Sequence, residues 1–289
     1  MSSWIDRLSA DLGSDRRPAL PRGTSTSGND VKQDEAIPIC ELVPAPAIRN
    51  GILTKLSLSD FDSLRSYLQP IVLDRGSVLN EAHREIEFIY FVETGLVSLL
   101  TFSRGNILET GLVGRHGAVD ASIALGVGTS IHKSVVLMPG KALRVRGEDL
   151  QRSMQSRPLV RERLLHYVQS LMIHGAQTAL CGVRHELEQR LASWLCLACD
   201  ALGHETLAIT HDHLAFILGL RRPGVTNALM RFEELGLVRK ARGVLHVRER
   251  RALEQRTCTC YNAIMTAYEP AVAGRSASLG AHKLSLEIR

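Results

Sequence analysis

The sequence predicts an α+β protein in which an antiparallel β-roll is followed by a long helix and a winged helix-turn-helix. Short β-rich runs separated by glycines fill residues 71–150, and an apolar repeat with three-four spacing follows Pro158. Two short helical patterns then precede a hairpin pattern within residues 209–247. A chain of 289 residues is long enough to give two domains a core each.

From the composition and the first residues we expect a cytoplasmic protein. No apolar run approaches the roughly 18 residues of a membrane span. Residues 1–17 contain no apolar segment of the kind found in secretory signals. Six cysteines in a chain of this length do not form the dense pattern of a disulfide framework.

The first domain is expected to be a β-roll over residues 50–156, preceded by a disordered arm over residues 1–49. The arm mixes Ser, Gly, Pro and charged residues without sustained periodicity. A helix capped by Ser59 is expected to open the domain, with Phe61, Leu64 and Leu68 at helical spacing. Further along, the tripeptide Glu93–Gly95 predicts a tight hairpin between two strands.

A long helix over residues 157–182 is expected to hold two copies of the chain together. Its apolar and small residues follow the narrow seam of a coiled coil rather than the broader face of a core helix. The seam positions are Leu165, Val168, Met172, Gly175, Ala179 and Gly182. The last three are small enough to let two helices approach closely, and soluble oligomers favour twofold symmetry, so we expect a homodimer. The alternative is a single amphipathic helix packed on its own roll.

Residues 183–258 carry the pattern of a winged helix-turn-helix, and residues 259–289 are expected to be a C-terminal tail. Thr210 can cap a short helix, and Gly219 can adopt the left-handed conformation that ends it. The residues expected on the inward face of the second helix are Val225, Leu229 and Phe232. The segment LVRKARGVLHV then predicts a two-stranded hairpin that turns near Arg242-Gly243.

Two arginines stand at the front of the second helix, which is the end that enters the major groove in a helix-turn-helix. Arginine can bind O6 and N7 of guanine through two hydrogen bonds, and asparagine suits adenine. The residues expected to contact base edges are Arg221, Arg222, Thr226 and Asn227; those expected to contact phosphates are Arg231, Arg239, Lys240 and Arg242. Residues 205–256 hold ten Lys/Arg against six Asp/Glu, a surplus that suits a polyanion. The alternatives are a solvated basic helix and a winged helix that contacts another protein.

In this order, the roll, the long helix and the winged helix resemble the CRP/FNR family of bacterial transcription regulators over about residues 50–260. The most specific part is Ile209–Val238, where IT, the LG turn, Arg222, Val225 and EELGLV fall in register. The resemblance implies a dimer that binds palindromic double-stranded DNA. It also implies a cyclic-nucleotide-binding-like β-roll that modulates DNA binding, and RNA polymerase as a partner.

The chain departs from the members of that family that bind cyclic AMP. By alignment, Ala118 stands where those members carry the glutamate that holds the ribose hydroxyl, and His132-Lys133 stands where they carry Arg-Ser. Gly175-Ala176 stands where they place hydroxyl donors. We therefore expect no bound cofactor and no cyclic AMP binding of the usual kind. The iron–sulfur branch needs an N-terminal cysteine cluster, which Cys40 alone does not supply.

The roll still offers a candidate effector pocket for an anion. Its residues would be Arg115, His116, Lys133 and Ser134. The alternative is a closed, ligand-free roll. In the second helix of the helix-turn-helix, Pro223 and Asn227 replace a glutamate and an arginine of the family, so its usual half-site is not assumed.

The cysteines are expected to be structural, and His211 and His213 are not expected to bind a ligand. Cys196, Cys199, Cys258 and Cys260 could supply four thiols to zinc, but the Cys-x-Cys spacing is poor and the first pair lies on an apolar helical face. We therefore expect no metal, with a redox switch through Cys258 and Cys260 as an alternative. His211 and His213 are expected on the surface.

We expect no enzyme. His116, Asp120 and Ser122 fall in turn and strand patterns without a nucleophile elbow or an oxyanion motif. The expected function is a homodimeric, sequence-specific transcription regulator on an inverted-repeat site. The competing function is a small-molecule-binding module whose winged helix mainly contacts another protein.

Overall fold

The computed structural model describes residues 48–104 and 106–269. The arm expected over residues 1–49 lies outside the described residues, apart from its last two positions. Cys40 and the expected tail beyond residue 269 lie outside them as well. Within the described residues, no helix is long and apolar enough to cross a membrane.

The first domain is an antiparallel β-roll, as the sequence predicts. The strands are β1 (Gln69–Leu73), β2 (Val78–Asn80), β3 (Phe88–Ser103), β4 (Asn106–Val113), β5 (Ala118–Val119) and β6 (Lys133–Arg146). The long strands β3 and β6 pair with each other, and β1 and β4 lie outside them in the order β1-β6-β3-β4. In addition, β2 pairs with β6 and β5 pairs with β3. The apolar side chains of these strands form the core of the roll.

The expected hairpin at Glu93–Gly95 is wrong, because these residues lie inside the continuous strand β3. The register of β3 against β6 shifts on both sides of Thr94, so the segment is a bulge rather than a reversal. Gly95 has a φ of +87°, and a Cβ there would lie 2.7 Å from the carbonyl oxygen of Met138. The glycine therefore allows two backbones to approach closely.

Short helices precede and follow the strands. Helix α1 (Leu58–Arg65) is capped by Ser57, whose Oγ accepts a hydrogen bond of 3.2 Å from the amide of Asp60. The cap thus lies two residues before the expected Ser59, and Leu68 falls outside the helix. The other helical segments of this domain, within the described residues, are 3-10 turns at Leu53–Lys55 and Ala121–Leu125 and helix α2 (Gly147–Ser156).

The long helix α3 (Pro158–Arg184) begins with proline in its first turn, where the missing amide costs no helical hydrogen bond. It is followed by the winged domain, whose apolar residues form one core with Leu96, Leu112, Leu137 and Met138 of the roll. The elements of that domain are α4 (Leu187–Leu202), β7 (Thr206–Leu207), α5 (His211–Ile217), α6 (Arg222–Glu234), β8 (Val238–Ala241), β9 (Val244–Val247) and α7 (Arg250–Glu254).

Residues 259–268, which we placed in a C-terminal tail, form helix α8 (Thr259–Tyr268) instead. This helix packs along α3. The hydroxyl of Ser170 donates to the carbonyl of Ala267 at 2.5 Å, and His174 Nδ1 lies 3.0 Å from the hydroxyl of Tyr268. The segment after the winged domain is therefore fastened to the long helix.

A buried carboxyl joins the roll to the winged domain. Trp194 Nε1 on α4 donates to Glu109 on β4 at 2.5 Å, and Ser98 on β3 donates to the same carboxylate. Burial raises the pKa of Glu109 to about 7 despite these two donors. A backbone hydrogen bond of 3.0 Å from Arg115 to Ala201 lies at the same junction.

Candidate nucleic-acid interface

The turn between α5 and α6 is built by local chemistry. Thr210 Oγ1 accepts a hydrogen bond of 3.2 Å from the amide of His213 and so caps α5. Gly219 has a φ of +60°, the left-handed conformation that was expected. The amide of Leu220 then donates to the carbonyl of Ala215 at 2.8 Å and closes the turn. This turn fixes where α6 begins.

The buried face of α6 determines which of its side chains are free for a partner. Val225, Leu229 and Phe232 are fully buried in the domain core, as predicted. Helical geometry then turns Asn227 and Arg231 outward, and both are exposed. Helix α6 therefore presents a polar, cationic outer face.

The front end of α6 is exposed and cationic. Arg221 is the N-cap and Arg222 the first helical residue, and both side chains are exposed. Pro223 stands in the first turn, where its missing amide costs no helical hydrogen bond. No ion pair holds Arg221 within the described residues. The expected base-contacting arginines thus lie where a groove could receive them.

Two side chains of α5 contact two of the expected base-contacting residues. These contacts were not predicted from the sequence. Arg222 Nε lies 2.9 Å from the carboxylate of Asp212, and Thr226 Oγ1 lies 3.1 Å from His211 Nδ1. Burial lowers the pKa of His211, and the positive charges of Lys240 and Arg222 lower it further. A neutral imidazole is therefore favoured beside Thr226. In the sequence, only the position of His211 and Asp212 at the start of the first helix could have indicated these contacts.

His213 is not a surface residue, contrary to the expectation. It is 7% exposed, and burial lowers its pKa to about 4, with Arg75 acting in the same direction. Its backbone amide makes the capping bond of α5 described above. Because the ring sits inside the protein, His213 contributes to the structure of the first helix rather than to its surface.

The expected phosphate-contacting residues are divided between paired and unpaired cations. Arg231 lies 3.1 Å from Glu188, and Lys240 lies 2.8 Å from Glu233. Arg239 and Arg242, in the hairpin of β8 and β9, are exposed and form no ion pair among the described residues. Exposed ion pairs contribute about 0–1 kcal/mol, so a phosphate can compete for the paired cations as well.

A cleft between the first helix and the hairpin lies beside these cations. It has a volume of about 260 Å³ and is lined by residues of α5 and of the hairpin, together with Arg222. Gly243, at the tip of the hairpin, has a φ of +73° and makes the turn near Arg242-Gly243 that was expected. Arg222, a base-contacting candidate, and Lys240, a phosphate-contacting candidate, therefore line the same cleft.

The residues of the seam expected on α3 differ in exposure within the chain, and the seam itself stays a prediction. Val168 is 6% exposed and buried in its own chain, and a Cβ on Gly175 would face the carbonyl of Thr110 at 3.7 Å. Spacing alone does not tell an inward stripe from an outward one on the same helix. The exposed residues that continue the three-four spacing are Gln169, Met172, Ala176, Ala179 and Val183. Leu165 is half-buried and Gly182 is exposed beside this row.

Three of the four residues of the expected effector pocket have separate partners within the chain, and the fourth is buried without one among the described residues. The guanidinium of Arg115 lies against Gly203 at the carboxyl end of α4. A Cβ built on Gly203 would be only 2.8 Å from this guanidinium. His116 packs on Gly51, while Lys133 lies 2.9 Å from Glu81. Ser134 is fully buried, and its hydroxyl has no hydrogen-bond partner among the described residues. The pocket stays a prediction.

The four thiols considered for zinc are not brought together. Cys196 and Cys199 are buried in α4, and the guanidinium of Arg250 lies 3.1 Å from the sulfur of Cys196. Cys258 and Cys260 lie instead beside Cys181 and His185 at the end of α3. Sequence spacing missed this group because its two halves are 77 residues apart.

Residues 189–256 match the family model described as the Crp-like helix-turn-helix domain. The matched segment includes the turn, α6 and the hairpin whose geometry is given above. No curated protein matches the chain in sequence.

Solved structures resemble the chain at low sequence identity. FixK2 from Bradyrhizobium japonicum is 16% identical with a TM-score of 0.56, and the match covers 66% of this chain and 98% of that one. The c-di-GMP responsive global regulator CLP of Xanthomonas campestris is 13% identical with a TM-score of 0.55, and the match covers 66% of this chain and 99% of that one. A CRP-family transcriptional regulator of Thermus thermophilus is 16% identical with a TM-score of 0.54, and the match covers 64% of this chain and 95% of that one. These similarities show a shared fold over nearly the whole of each known protein.

Proposed function

We propose that this chain, which belongs to the CRP/FNR family by its helix-turn-helix domain and its fold, acts as a homodimer on an inverted-repeat DNA site. Its Crp-like helix-turn-helix domain makes it a DNA-binding transcription regulator. The observation that carries the finer proposal is the exposed front end of α6, where Arg221, Arg222 and Asn227 stand on a helix whose opposite face is fully buried.

The geometry of α6 supports contact with base edges in the major groove. A recognition helix enters the groove with its amino-terminal residues first, and these are the exposed arginines here. Arg222 would exchange its exposed ion pair with Asp212 for two hydrogen bonds to guanine. The hairpin cations Arg239 and Arg242 would contact phosphates and add affinity without sequence preference.

The exposed apolar row on α3 supports the homodimer. Met172 is 68% exposed and Val183 is 82% exposed, and with the small Ala176 and Ala179 they follow one edge of the helix. Such a row is costly in water and is covered when a second copy packs on it. A twofold pair would place two recognition helices in successive major grooves about 34 Å apart, which requires an inverted repeat. Met172→Glu would set two like charges together and weaken the dimer in sedimentation.

We also propose that the regulator works without cyclic AMP. Ala118 has no group for a ribose hydroxyl, and Lys133 is engaged by Glu81. Titration of the purified chain with cyclic AMP should give no saturable heat, and tight binding would contradict this. RNA polymerase is the proposed protein partner, to be tested by transcription from a template that carries the selected site.

The decisive experiment is selection of sites from a pool of random duplex DNA at two salt concentrations. An enriched inverted repeat, with centres one helical turn apart, would support the proposal. Weak binding that hardly changes with salt would contradict it, because phosphate contacts make DNA affinity strongly salt-dependent. That outcome would favour the competing function, a winged helix that contacts another protein.

A further inference from the structure

A compact group of metal-binding side chains lies where α3 meets α8. Cys181 is in the last turn of α3, and His185 is the residue that ends this helix. Cys258 is the N-cap of α8 and Cys260 stands in its first turn. The three sulfurs and one ring nitrogen all lie within 4.8 Å of one another.

Two distances within this group match a tetrahedron around one ion, and the others are at most 4.8 Å. Zinc binds sulfur at about 2.3 Å and imidazole nitrogen at about 2.0–2.1 Å, so two tetrahedral sulfurs lie about 3.8 Å apart and a sulfur and a nitrogen about 3.6 Å apart. The sulfurs of Cys181 and Cys258 are 3.5 Å apart, and Cys260 Sγ lies 3.6 Å from His185 Nδ1. A disulfide needs sulfurs at about 2.05 Å.

The surroundings suit a bound cation with thiolate ligands. Cys258 and Cys260 are buried at the amino-terminal end of α8, where the helix dipole favours negative charge on a sulfur and burial opposes it. The amide of Cys258 donates to Ser193 Oγ at 3.1 Å, and this hydroxyl lies 3.3 Å from the sulfur of Cys258.

We propose that Cys181, His185, Cys258 and Cys260 form a tetrahedral zinc site. Three thiolates and one imidazole are the donor set of a closed structural zinc site. A cluster of several irons would hold its cysteines on different metal atoms, and four ligand atoms this close fit a single ion better.

The site would fix the connection between the long helix and the DNA-binding domain. His185 and Glu186 are the two extended residues that link α3 to α4, with ψ angles of 148° and 159°. A zinc ion bound to His185 and to α8 would restrain this link and hence the angle at which α6 is presented. This consequence rests on the proposed function, whereas the site itself does not.

The first test is metal binding by the full chain, purified under reducing conditions and stripped of metal. Added Co²⁺ should give the intense visible absorption of a tetrahedral ion and thiolate charge-transfer bands, saturating at about one ion per chain. Zn²⁺ should displace Co²⁺ and remove the colour. Absence of these bands, or a Cys181–Cys258 disulfide formed in place of metal binding, would overturn the proposal.

Variants separate the site from general loss of folding. Cys260→Ser and Cys181→Ser should lose the charge-transfer bands, while Cys199→Ala removes a buried cysteine outside the group and should keep them. His185→Cys keeps four ligands and should retain a tetrahedral spectrum with stronger thiolate bands. An unchanged spectrum in Cys260→Ser, or equal loss in Cys199→Ala, would disprove the assignment.

A second measurement tests the consequence for DNA. Affinity for the selected inverted repeat should fall roughly tenfold when zinc is removed, within the usual range of coupling between sites. Unchanged affinity in a chain that binds zinc would overturn the restraint at the link and leave the site intact. No DNA binding in either state would overturn the proposed function and leave the metal result standing.

Discussion

The roll and the winged domain differ in how they hold the charged residues that bear on ligand binding. In the roll, Asp120 is buried and accepts a hydrogen bond of 2.6 Å from Ser130, and Lys133 is paired with Glu81 while its side chain is only 15% exposed. In the winged domain, Arg221, Arg239 and Arg242 are exposed and form no ion pair among the described residues. The winged domain forms ion pairs of its own, but these three arginines have none within the described residues and are free to bind an external polyanion.

The largest effect is expected from the core that supports the exposed cations. Phe232→Ala removes a fully buried ring from the inward face of α6 and should lower the free energy of unfolding by about 3–5 kcal/mol. Denaturant titration measures this. Met230→Ala, on the exposed face of the same helix, should change it by less than about 0.5 kcal/mol. Equal effects of the two substitutions would contradict the assigned orientation of α6.

The buried carboxyl that joins the two regions should make stability depend on pH. The pKa of Glu109 is raised by burial to about 7, above the value of about 4.3 expected in the unfolded chain. The folded state binds the extra proton between these values, so the free energy of unfolding should fall by about 3 kcal/mol as pH rises from about 4 to about 7, and then level off. In Glu109→Gln the free energy of unfolding should not show this fall with pH. Identical profiles of unfolding free energy against pH in the two proteins would refute the prediction.

Substitution of one cation in each region tests the comparison directly. Arg222→Ala should lose about 1–3 kcal/mol of affinity for the selected DNA site and relax preference at one base position. Lys133→Ala, in the roll, should leave DNA affinity unchanged. Fluorescence anisotropy with a panel of single-base variants measures both. A uniform loss on all sequences would show that Arg222 contacts phosphate instead of a base.

The smallest effect is expected from the hairpin. Arg239→Ala removes an exposed cation without an ion pair and should weaken binding nearly equally on all sequences. The slope of log affinity against log salt should become less steep by about one. A salt titration checks this, with Lys240→Ala as the comparison, since Lys240 is already paired with Glu233. A loss confined to one sequence would place Arg239 at a base edge.

The sequence by itself determined the features that depend on neighbouring residues. The cap at Thr210, the left-handed Gly219, the buried row of Val225, Leu229 and Phe232, and the hairpin at Gly243 are all confirmed. Local geometry decides each of them, because a cap, a turn or a helical face involves residues only a few positions apart. The order of roll, long helix and winged domain follows from the same local patterns.

The tertiary structure decided whatever depends on distant segments. The glycine at position 95 fits either a hairpin or a bulge in the sequence, and the pairing of β6 beside β3 decides for the bulge. The spacing on α3 fits either an inward or an outward edge, and packing of one edge against the roll decides which edge is exposed. Docking of α8 on α3 brought Cys181 and His185 to Cys258 and Cys260. The physical reason is the same throughout: spacing along the chain fixes which residues share a face, and only packing fixes what that face meets.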